Sequence, residues 1–182
     1  MSTKKDYFLK ALHVFSWIIL IGLCIEAGGF IFNVFFTIFF NPEGAQKFWT
    51  EVNLSELYYF NQSHYVTLTS IMIIVAVLKA LMFYFIVEIF FNKKFDLSNP
   101  FNEHVKRFIS KTAYIALGIG LFSFWGAEFV ENLIQQGVKL PLLQNLKLAG
   151  ADVWFFMGIT LLVIAQVFQK GIELQNENDL TI

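Results

Sequence analysis

One cysteine, three prolines and a charged fraction of only 15% mark this 182-residue chain. A lone cysteine, Cys24, excludes an intrachain disulfide, a CxxC redox pair and a cysteine-rich metal site. Lying inside an apolar run, it reads as a small lipid- or core-facing residue. No HExxH, GxSxG or P-loop pattern occurs, so the sequence carries no motif for those zinc, hydrolase or nucleotide chemistries. His13, His64 and His104 fall at segment borders or in a loop, not all on one side, and cannot face each other across a haem. No Asp/Glu/His cluster has metal-ligand spacing. No cofactor is expected, and an enzyme is the least favoured of the function classes. A formal net charge of -1 carries no nucleic-acid signature.

What the chain has instead is apolar bulk. Hydrophobic residues make up 57% of it, and 23 are Phe. Soluble domains are nearer about 45–50% apolar. Four runs reach the roughly 20 residues that a membrane-spanning helix needs. They lie at about Phe15 to Phe40, Tyr65 to Phe91, Thr112 to Ile134 and Val153 to Ile172. None alternates polar and apolar as barrel strands do. The first is far longer than the apolar core of a cleavable signal, about 7–15 residues, and is read as a retained helix. The fold class expected is all-α: one membrane domain, a bundle of four transmembrane helices.

Lysine and arginine set the expected orientation. Lys4, Lys5 and Lys10 precede the first span; Lys93, Lys94, Lys106, Arg107 and Lys111 lie between the second and third; Lys170 closes the fourth. The other loops hold only Lys47, Lys139 and Lys147. Cytoplasmic loops carry the Lys/Arg excess, so both termini, loop 92–111 and tail 173–182 are placed in the cytoplasm. Trp49, Tyr58, Tyr59, Tyr65 and Trp154 mark the outer borders. In the outer loop 41–64, Phe48, Trp49, Val52, Leu57 and Phe60 suit a short helix lying on the membrane. Asn99 followed by Pro100 reads as an N-cap with proline at the first helical position, starting the third helix inside the cytoplasm.

Two stripes are expected to face inward: Gly22, Glu26, Gly29 and Asn33 on the first span, and Ala116, Gly120, Ser123, Ala127 and Glu131 on the third. Small residues permit close helix approach where lipid gives no hydrophobic drive. Glu26 and Lys79 both fall near mid-depth, where a charge costs about 2.5–3.5 kcal/mol, and are expected to neutralise one another. Glu128 and Glu131, one turn apart, form a candidate polar site in the outer half. Structural pairing and a proton or ion site are both open readings of these charges.

The run Phe168, Gly171, Leu174, Gln175, Glu177, Asp179, Leu180, Thr181 and Ile182 resembles the ending of a bacterial membrane family known only as domain of unknown function 2975. Asn99, Pro100, Phe101 and Asn102, followed by Val105, Lys106 and Arg107, are similar to that family's loop before its third helix. The resemblance implies a four-helix protein of the bacterial inner membrane and carries no activity and no functional residues. Some members sit beside small helix-turn-helix regulators, which implies a signalling role. The family-like residues cluster on the cytoplasmic side, so the expected function is a binding or regulatory membrane component. Its candidate docking residues are Pro100, Phe101, Leu180, Thr181 and Ile182. The alternative is a small transporter or channel subunit using the buried charges. Expected partners are the lipid bilayer and a cytoplasmic or membrane protein, with a homo-oligomer left open and no direct nucleic-acid binding.

Overall fold

A computed structural model describes residues 2–50, 52–91 and 101–179. Helices α1 (Ser2–Phe39), α2 (Ser55–Phe60), α3 (Gln62–Phe91), α4 (Glu103–Gln135) and α5 (Ala151–Asp179) are joined by a 3-10 helix, Pro42–Lys47, and loops. Among the described residues, β pairing is limited to an isolated bridge between Trp49 and Val52. Four of the helices, α1, α3, α4 and α5, are long and apolar enough to cross a membrane. Their outward faces are apolar: Ile18, Phe32, Tyr114, Phe156 and Val163 are all exposed. Such a surface suits acyl chains and would be untenable in water.

The helices pack as an antiparallel row, α1 on α3, α3 on α4, α4 on α5, and α1 makes no close approach to α5. Chain start and chain end therefore share one end of the bundle, called here the terminal end. Helix α4 begins later than the Asn99–Pro100 reading expected. Asn99 and Pro100 lie outside the described residues, and the cap is Asn102, whose side chain accepts from the Val105 N–H at 3.0 Å. A side-chain acceptor at the residue before the first turn satisfies an otherwise orphaned donor, which is why the helix starts at Glu103.

Side-chain contacts show how far each helix reaches. Leu78 of α3 lies level with Gly118 of α4, and Ile71 with Gly126. Phe155 of α5 packs on Gly120, and Gly158 on Leu117. From Gly120, α4 runs on to Gln135, whereas from Phe155 α5 extends back only to Ala151. At about 1.5 Å per residue, α5 stops roughly 16 Å short of the end of α4. Residues 136–150 cover that distance without helix.

Glycine makes the reversal possible. Gly137, at φ 91°, takes the left-handed conformation after α4, and the Val138 N–H donates to the Leu133 carbonyl at 3.1 Å. The chain then descends along the inside of the row. Val138, Leu146 and Leu148 join the main core cluster, with Leu148 against Ile71 and Gly126. Its backbone is satisfied locally: the N–H groups of Asn145 and Leu146 donate to the Leu142 carbonyl, and those of Lys147 and Leu148 to Gln144 and Leu143. Irregular backbone at membrane depth is tolerated where protein buries it.

Residues 41–61 complete this cap. Ala45, Phe48, Val52, Leu54 and Leu57 are buried in the same core, so only part of the segment matches a helix lying on the membrane. Phe60 is exposed as that reading expected; Phe48, Val52 and Leu57 turn inward. The Phe48 and Trp49 rings stand 5.6 and 5.5 Å from Phe30, and Trp49 lies over Gly29. The two parts of the cap are tied by the Lys139 N–H, which donates to the Glu56 carboxylate at 2.8 Å.

Candidate functional site

Three charged residues meet below the cap. Glu26 lies about midway along the apolar stretch of α1, half-buried at the edge of its inward face. Its carboxylate stands 3.5 Å from the Lys147 ammonium, and its side chain is 19% exposed. Lys79 of α3 donates to the Lys147 backbone carbonyl at 3.0 Å and lies 5.8 Å from the Trp154 ring centre. Glu26 and Lys79 were expected to pair with each other. The ion pair that Glu26 makes is with Lys147, and Lys79, on the Lys147 carbonyl, lies within electrostatic reach of Glu26. Lys147 is in the left-handed region at φ 62°, an uncommon conformation for a residue with a side chain. That conformation lets one residue present its ammonium to α1 and its carbonyl to α3.

The inward faces are partly as expected. Ala116, Gly120 and Ser123 of α4 are buried, and Ala127 is half-buried. Glu131 leaves the stripe and is exposed, as is Glu128 one turn before it on α4. On α1 the buried stripe is Ser16, Leu20, Ala27, Phe30 and Thr37, one position round from Gly22, Glu26, Gly29 and Asn33. Glu26, Gly29 and Asn33 are half-buried at its edge, and Gly22 is exposed. What covers this edge is the aromatic cap, which needs no small-residue seam except where Trp49 crosses Gly29.

At the terminal end, Phe101 packs on α5. Its ring centre is 5.3 Å from that of Phe168, and it presses on Gly171, where any side chain would clash with it. Helix α5 runs past its apolar stretch to Asp179, with Glu173 accepting from Lys170 at 2.6 Å and from Gln169 at 2.9 Å. Pro100, Leu180, Thr181 and Ile182 lie outside the described residues. Between α3 and α4, on the same end, a groove of about 230 Å³ is lined by Glu88, His104, Arg107 and Lys111 over Phe85, Ile89 and Phe108. The sequence reading had singled out none of these as a site; the signal was the spacing of His104, Arg107 and Lys111 on one helical face. No group of three or more metal-ligating side chains occurs among the described residues.

These features define a multi-pass helical membrane protein with a partly buried irregular segment between its last two long helices. The family described as protein of unknown function, DUF2975, matches residues 40–182, and the chain belongs to that family. The match takes in the cap, α3, α4 and α5. Comparison with curated proteins and with solved structures finds no match.

Proposed function

We propose that this protein is a non-enzymatic binding or regulatory component of the bacterial inner membrane, with both termini in the cytoplasm and a docking surface at the terminal end. The observation that carries the reading is α5, which continues as a helix beyond its apolar stretch to Asp179 while Phe101 is seated over Gly171. A helix needed only to span would gain nothing from extra polar turns; a partner would find there a rigid polar edge beside an aromatic knob. Pro100 and the tail Leu180 to Ile182 are proposed to complete the surface.

Deleting Leu180 to Ile182 is expected to abolish recovery of a partner by affinity purification from native membranes, while the melting profile stays within experimental scatter. Gly171→Leu should expel Phe101, cost about 1–3 kcal/mol by overpacking, and lose the same partner. Unchanged partner recovery in both variants would remove the docking surface.

Orientation has its own test. With Cys24 replaced, Gln46→Cys in the cap should react with an impermeant maleimide added to intact cells, and Glu177→Cys should react only after lysis. Reaction of Glu177→Cys in intact cells would invert the topology.

A second reading, a small transporter or channel subunit, is supported by one feature. The irregular segment that precedes α5 is partly buried and lies beside Glu26, Lys79 and Lys147, and transporters place sites where non-helical backbone lines the interior.

A further inference from the structure

The groove between the last turns of α3 and the first turns of α4 is independent of the docking surface. We propose that it binds a phosphodiester anion, supplied by the headgroup of a membrane phospholipid.

His104, Arg107 and Lys111 follow one another at i, i+3 and i+7, so they share one face of α4. That face is turned to the groove, while Val105, Ile109 and Thr112 go to the interior. The cations are under-used by the protein. Lys111 lies 5.1 Å from the Phe85 ring centre, and among the described residues no carboxylate pairs with it. Arg107 meets Glu103 through Nε at 3.8 Å, a carboxylate that also stands 3.8 Å from Lys106. Its side chain is 71% exposed, which leaves the outer edge of the guanidinium open. A planar guanidinium beside an ammonium is the pairing that suits phosphate oxygens.

Charge limits the ligand. Among the formally charged side chains that line the groove, Arg107 and Lys111 against Glu88 leave one net positive charge. That matches a diester phosphate, which carries one negative charge, and not a polyphosphate. Glu88 can accept from a donor elsewhere on the headgroup.

Position favours a lipid over a free ion. The groove lies where the apolar run of α3 gives way in the sequence to Asn92, Lys93 and Lys94 after Phe91, so its level is that of the headgroups. Continuing along the same face of α4, Lys111 is followed by Tyr114 and then Leu121 and Trp125, all exposed. Basic, then aromatic, then apolar is the order met on passing from headgroup to acyl chain. The floor of Phe85, Ile89 and Phe108 offers the upper acyl carbons an apolar bed.

The test uses the full chain in phosphatidylcholine nanodiscs doped with phosphatidylglycerol, with lipid retained after extraction counted by native mass spectrometry. Wild type should retain phosphatidylglycerol selectively. Arg107→Gln with Lys111→Gln should weaken retention roughly thirtyfold. A control pair at the opposite end, Lys47→Gln with Lys139→Gln, changes the net charge equally and should leave retention unchanged. Melting in pure phosphatidylcholine discs checks that the groove variant is folded; if it is not, Lys111→Gln alone, at an exposed position, replaces it. Inorganic phosphate is the second probe. Stabilisation by phosphate that vanishes in the groove variant, without selective lipid retention, would keep the anion site and overturn the lipid source. Equal losses in the groove and control pairs, or no loss in the groove variant, would overturn the site.

Discussion

Glu26→Gln is expected to lower the stability of the folded protein by about 2.5–3.5 kcal/mol, the cost of uncompensated charge at mid-depth. The substitution removes the carboxylate that faces Lys147 and leaves the Lys79 and Lys147 ammonium groups in one cluster. Removing a lysine as well should restore stability, and which lysine matters. Glu26→Gln with Lys147→Met deletes both members of the recorded ion pair and keeps the Lys147 carbonyl as the acceptor for Lys79, so it should recover most of the loss. Glu26→Gln with Lys79→Met relieves the charge but strips that carbonyl of its donor, and should remain about 1–3 kcal/mol below wild type. Thermal unfolding in nanodiscs measures all three. If the Lys79 double variant recovers better than the Lys147 one, Glu26 answers to Lys79 directly and the recorded pairing is wrong. Activity separates structure from transport: a folded Lys147 double variant that retains its biological function makes the cluster structural.

Leu148→Ala is expected to cost about 2–5 kcal/mol. Leu148 is 1% exposed and fills the space between Ile71 and Gly126, directly after the residue that carries the charge cluster. Leu142, in the same loop, is 72% exposed, and Leu142→Ala should change stability by less than about 0.5 kcal/mol. The contrast is sharp because the two residues have the same chemistry and lie six positions apart. Equal effects of the two changes, read by melting in the same nanodiscs, would mean that residues 136–150 do not sit inside the bundle.

The four crossings were legible because length and hydropathy are local properties. The expected spans at 65–91 and 112–134 fall within α3 and α4, and the polar turns added to α4 and α5 at the terminal end follow from capping and helix continuation. The inward face of α1 was not legible. In lipid both faces of a helix are apolar, so Gly22 and Ala27 look alike by composition, and only the aromatic cap decides that Ala27 and Phe30 turn in. The partner of Glu26 was hidden for a related reason. Lys147 reads as a lysine of an outer loop, with Pro141 and no hydrophobic period around it. Its place beside Glu26 depends on a descent that begins with Gly137 and on a left-handed residue far from any glycine rule. The groove of Arg107 and Lys111 was counted only as part of a Lys/Arg excess, because most of its apolar floor, Phe85 and Ile89, comes from α3, about twenty residues earlier in the chain.

The division of the cap between residues 41–61 and 136–150 also orders events during synthesis. When α1 and α3 have entered the membrane, Phe48 and Leu57 can already settle on them, but the Glu56 carboxylate has nothing to receive until Lys139 emerges. Lys79 and Glu26 must likewise wait for Lys147. Insertion of the early helices and closure of the cap are therefore separable steps, and until the last loop is made Glu26 lacks its Lys147 partner and Lys79 lacks its carbonyl acceptor.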